Sequence, residues 1–145
     1  MVVIQNSAND ASINEPNLIN TLQKVIADLG EGDSELLIRL VDKNEIQALN
    51  KTYRDKNQPT NVLSFSSDLP KEIEEMILGD VIVCLEIVRE EAKAQGKTFE
   101  HHLMHMSIHG VLHLLGYDHI VEAEAEEMEA LEVKILNGLG IANPY

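Results

Sequence analysis

His109-Gly110-Val111-Leu112-His113-Leu114-Leu115-Gly116-Tyr117-Asp118-His119 places three histidines at the spacing His-x3-His-x5-His, with a glycine between the second and third. All six histidines of the chain (101, 102, 105, 109, 113 and 119) fall within this region and the turn or two before it. Two imidazoles four residues apart on a helix point the same way, because four steps of about 100° nearly close a turn. Residues 99–115 have helical periodicity: Met104, Ile108, Val111 and Leu115 recur at four, three and four, forming one apolar face. His102, His105, His109 and His113 form a second line beside it. Gly116 can take the left-handed conformation that ends a helix, and the chain can then return His119 towards the first two histidines. A helix bearing both an apolar face and ligands is expected to be central and buried.

Three imidazoles converging in this way make a tripod with an open fourth position, the arrangement of a catalytic zinc site. The candidate ligands are His109, His113 and His119. His101, His102 and His105 read first as surface or core residues, with His105 a possible substitute ligand or pocket wall. Zinc endopeptidases use the same spacing but carry a glutamate directly after the first histidine as general base. Gly110 stands there instead, so the tripod is present without the peptidase base.

At 145 residues with 44% apolar content, one globular domain spanning 1–145 is expected. The single cysteine, Cys84, excludes an internal disulfide. With no basic, apolar leader at the start, this favours a reducing, cytoplasmic setting. No apolar run approaches membrane-spanning length, so a membrane partner is not expected. The net charge of −14 opposes broad nucleic-acid binding, so any anion site must be local. Lys51, Arg54 and Lys56 form a small basic cluster. Six acids from Glu122 to Glu132 read as the solvated face of a final helix whose inner face is Met128, Leu131, Ile135 and Leu139.

The remaining chain reads as strands at 2–5, 35–41, 61–66 and 76–84, and helices at 15–29, 43–53, 85–95, 99–115 and 121–137. Asn14, Asp42 and Thr98 are expected N-caps. Residues 67–75 read as a surface loop, and Asp80 after Gly79 as a turn residue. The predicted class is α/β with α+β character: a small mixed sheet of about four strands packed with about five helices, the histidine helix central.

These pieces resemble the YbeY family of bacterial rRNA maturation factors, which are metal-dependent endoribonucleases. The resemblance covers nearly the whole chain. It rests on the histidine motif, on Leu49-Asn-Lys-Thr-Tyr-Arg54 with Lys56, on Pro59-Thr-Asn-Val-Leu-Ser-Phe65, and on Leu78-Gly-Asp80. It implies one α/β domain, one zinc on His109, His113 and His119, and a role for Arg54 in activity. It also implies a single-strand-type endoribonuclease acting on ribosomal RNA, notably the 3′ end of small-subunit rRNA, and a part in ribosome quality control. Ribosomal RNA, the small subunit and its assembly proteins would be the partners, and not DNA.

In that reading Arg54 stabilises phosphate charge with its planar fork of donors. Lys51, Lys56 and Ser64 are candidate substrate contacts, although Ser64 and Asn61 equally suit strand packing or a turn. Asp118 either orients a ligand histidine or caps the following helix. Two rivals remain at this stage: a zinc hydrolase of another kind, peptidase-like but lacking the glutamate, and a non-catalytic, metal-stabilised ribosome assembly factor.

Overall fold

A computed structural model describes residues 1–66, 77–118 and 120–145. The elements are β1 (Val2–Asn6), α1 (Glu15–Asp28), β2 (Glu35–Val41), α2 (Lys43–Arg54), β3 (Val62–Phe65), β4 (Ile77–Cys84), α3 (Leu85–Gln95), α4 (Phe99–Leu114) and α5 (Glu122–Gly138). Their order matches the predicted one. The loop expected at 67–75 lies outside the described residues.

Local chemistry sets the boundaries. The side chains of Asn14, Asp42 and Thr98 accept hydrogen bonds from the backbone N–H three residues on, at Asn17, Glu45 and His101, satisfying donors that a helix start leaves open. Gly96 closes α3 in the left-handed conformation.

The four strands form one mixed sheet in the order β1-β2-β4-β3, in which β1, β2 and β4 are parallel and β3 pairs antiparallel to β4. Side chains alternate across it. Leu36, Ile38, Leu40, Val81 and Val83 pack with α1, α4 and α5 in the larger core. Val41, Leu63, Ile82 and Cys84 pack with Ile46 of α2 in the smaller one, on the opposite face. Ten residues of α4 are buried, with Ile108, Val111 and Leu112 wholly so. The histidine helix is therefore the central element, and the mixed α/β architecture is as expected.

Asp80 falls in the strand read at 76–84 rather than in the turn that Gly79-Asp80 also suggested. It lies within β4, opposite Leu37 of β2 and Phe65 of β3. Gly79 is glycine because the chain passes close to its neighbours there: a Cβ would lie 2.5 Å from the Phe65 carbonyl oxygen and 2.9 Å from Leu114 Cδ2. Its φ of 139° is also one that side chains disfavour. Burial pushes the Asp80 carboxyl above its ordinary pKa, with Arg39 opposing.

Candidate metal centre

Gly110 positions the helix. Its α-carbon faces the sheet, where a Cβ would stand 2.5 Å from Val81 Cγ1 and 3.1 Å from Ser64 Oγ. Ser64, on β3, donates its hydroxyl proton to the Gly110 carbonyl at 2.9 Å. α4 thus presses onto β3 and β4 at the residue after His109, and no side chain fits there. The slot in which a zinc peptidase carries its base is filled by the sheet. Gly110→Ala is expected to destabilise the fold by about 1–3 kcal/mol, the cost of overpacking a dense core. Urea unfolding would measure it.

With Gly110 turned to the sheet, the histidine line runs beside it, about a quarter-turn round the helix. His109 Nε2 and His113 Nε2 lie 3.0 Å apart, and both residues are half-buried. Behind them stands Glu132 of α5, with no exposed surface. Its Oε1 is 2.7 Å from His109 Nδ1, and its Oε2 is 2.6 Å from His105 Nε2 and 2.8 Å from the Tyr145 hydroxyl. Burial alone would raise the Glu132 pKa. Hydrogen bonds from His105 and His109, the charge of His109 and the Tyr145 hydroxyl outweigh it and hold the carboxyl at about 2. An ionised carboxylate only accepts, so His105 Nε2 and His109 Nδ1 carry the protons.

This geometry suits a metal. Donation from Nδ1 leaves the Nε2 lone pair of His109 directed outwards, towards His113. Two imidazole nitrogens on one tetrahedral ion at about 2.0–2.1 Å lie roughly 3.3–3.4 Å apart, close to the observed separation. A carboxylate on the far nitrogen of a ligand histidine is the usual support for such an ion. A fully buried anion also gains from a cation one imidazole away. Among the described residues there is no group of three metal-ligating side chains. The third member of the expected tripod, His119, lies outside the described residues.

The family model described as Endoribonuclease YbeY matches residues 3–140. The chain belongs to the YbeY family. Its relatives include the protein named Endoribonuclease YbeY from Vesicomyosocius okutanii, 59% identical over the full length of both chains. The protein of that name from Ruthia magnifica is 60% identical, also over the full length of both. The solution structure of a Thermotoga maritima protein superposes with a TM-score of 0.63 at 30% identity, covering 97% of this chain and 92% of that one. This YbeY chain therefore shares its fold with a solved structure as well as its sequence with named endoribonucleases.

The other candidate residues are distributed as follows. Arg54 ends α2 and Lys51 lies one turn before it; both are exposed, as is Lys56. α2 covers the face of the sheet opposite α4, so this cluster lies across edge strand β3 from the histidines. Tyr53, beside Arg54, stacks at a tilt on Phe65 of β3 with ring centroids 5.2 Å apart. Asn61 donates to Glu91, which also bonds His102 Nε2 at 3.0 Å. His102 is a buried core histidine: burial lowers its pKa, opposed by Glu91. α5 starts at Glu122 with Val121 as its N-cap residue, whose side chain makes no cap bond, and Asp118 lies four residues before Glu122.

His105 is not a spare ligand at Nε2, since that nitrogen bonds Glu132. Glu132 itself corrects the sequence reading. Five of the six acids from Glu122 to Glu132 are exposed, but the sixth is the best-buried charge among the described residues. The innermost stripe of α5 is Met128, Glu132 and Leu136, with Leu131, Ile135 and Leu139 half-buried beside it. The signal was an acid spaced four residues from apolar residues on both sides. Tyr145 carried no such signal.

Proposed function

We propose that this chain is a zinc-dependent endoribonuclease that matures the 3′ end of small-subunit ribosomal RNA and acts in ribosome quality control. The reading is carried by the convergence of His109 and His113, backed by buried Glu132, in a chain that belongs to an endoribonuclease family over its whole length. His109, His113 and His119 would hold the zinc. Bound there, zinc lowers the pKa of a coordinated water and polarises a phosphoryl oxygen. Glu132 keeps the proton of His109 on Nδ1, which fixes the tautomer and aims Nε2 outwards. Arg54 offers a permanently charged fork to phosphate oxygens as charge builds on them. Lys51 and Lys56 hold the flanking phosphates, giving a local positive strip on a chain of net charge −14. Ser64 keeps α4 seated on β3. Ribosomal RNA and the assembling small subunit are the proposed partners, in the cytoplasm. No helix among the described residues is long and apolar enough to cross a membrane.

The test is cleavage of an RNA spanning the 3′ end of small-subunit rRNA, using protein purified free of other ribonucleases. Cleavage is expected to stop on chelation and return with added zinc. Cleavage indifferent to the chelator would refute the metal reading. No cleavage with any divalent ion, alongside retained binding to the small subunit, would favour the assembly-factor reading.

Glu132→Gln probes the support. Glutamine keeps the size but replaces one acceptor oxygen with an NH2 donor, so either His109 or the His105–Tyr145 pair faces a donor. A loss of about 1–3 kcal/mol in stability is expected for the unsatisfied group. A loss of roughly 10–100-fold in zinc affinity should accompany it. Thermal unfolding and chelator competition would measure the two.

A further inference from the structure

The last five residues of the sequence, 141–145, leave α5 and run back across the first half of α4. The Ile141 N–H bonds the Leu136 carbonyl at 2.9 Å. Lys97 Nζ, just before α4, donates to the Pro144 carbonyl at 3.1 Å. The Tyr145 N–H bonds Asn143 Oδ1 at 2.9 Å. Beneath the segment is a cavity of about 220 Å³ whose wall includes Lys97, His101, His102, His105 and Pro144.

Tyr145 is 60% exposed, yet its hydroxyl reaches a carboxylate with no exposure at all. Its ring meets His105 edge-to-face, at 5.7 Å and 88°. Apolar burial does not account for so exposed a ring taking this pose. The specific contacts are its hydrogen bond to Glu132 and its ring contact with His105. Glu132 Oε2 consequently has two donors, His105 and Tyr145, and these leave Oε1 to His109. The tyrosine hydroxyl thereby acts on the far side of the same carboxylate that orients His109.

We infer that Tyr145 is a positioning residue of the metal centre: it locks the Glu132 carboxylate from behind, so that the 141–145 segment forms part of the site. The inference rests on the zinc reading above. Loss of the hydroxyl leaves Oε2 with the His105 bond alone, and Glu132 then holds His109 Nδ1–H less firmly. A purely structural tail would leave the affinity for metal unchanged.

The experiment is zinc titration of the full-length chain against a chromogenic chelator, comparing wild type, Tyr145→Phe, Glu132→Gln and His113→Ala. Phenylalanine keeps the ring and its contact with His105, so the variant is expected to fold. Its zinc affinity should fall by about tenfold, the lower end of the range for such supports, and the metal-free protein should melt somewhat lower for the lost bond to the buried carboxylate. Unchanged affinity in Tyr145→Phe with weakened binding in Glu132→Gln and His113→Ala would overturn the inference and leave the zinc reading standing. A lowered metal-free melting temperature with unchanged affinity would also overturn it. Wild type and His113→Ala binding alike would remove the zinc reading, and the inference with it.

Discussion

His113→Ala is expected to abolish RNA cleavage while leaving a folded protein. His113 is half-buried towards the C-terminal end of α4, with its Nε2 3.0 Å from that of His109. The core face of α4 (Met104, Ile108, Val111) is untouched by the change. Stability should therefore shift little. Activity should fall by about 10³-fold or more, since Lewis-acid stabilisation is worth several kcal/mol and each ~1.4 kcal/mol is a factor of ten. Zinc affinity should fall further than for Glu132→Gln, because a ligand is lost rather than its support. Cleavage rate, chelator competition and circular dichroism on parallel preparations would check all three.

Arg54→Ala should separate binding of the ion from the reaction. Arg54 is exposed at the end of α2, across β3 from the histidines, and no bond among the described residues ties it to them. Removing it should leave zinc affinity and melting temperature as in wild type. Cleavage should drop by about 10²–10³-fold, the effect of losing one charge-stabilising donor. Arg54→Lys should recover only part, because an ammonium lacks the planar fork. If Arg54→Ala cleaves as wild type does, Arg54 is surface charge and another group must meet the phosphate.

Much of the molecule was legible in the residues because several local signals agreed. The caps at Asn14, Asp42 and Thr98, the glycine at 96 and the change from alternating to helical periodicity all mark the same boundaries. The histidine helix was legible because its apolar line and its imidazole line run side by side at one period. Gly79-Asp80 read two ways, as part of the strand 76–84 and as a turn, because Gly-Asp is ordinarily turn chemistry. Here the glycine answers a tertiary contact with Phe65 and Leu114, which no local pattern reports. Glu132 was hidden by its neighbours. Within a run of acids, the one facing inward differs only in phase, and a carboxylate is rarely buried unless donors meet it. Those donors, His105, His109 and Tyr145, come from another helix and from the end of the sequence. Tyr145 lay beyond the last periodic element, where only the three-dimensional path of the chain gives it a partner.

The central claim is that three histidines of this chain hold one zinc. The most direct measurement is the X-ray absorption spectrum of the protein loaded with one equivalent of zinc. The account predicts a four-coordinate ion with three imidazoles and one further light ligand, and loss of one imidazole in His113→Ala. Two or fewer imidazoles in the wild type, a sulfur ligand from Cys84, or a spectrum unchanged in His113→Ala would contradict it.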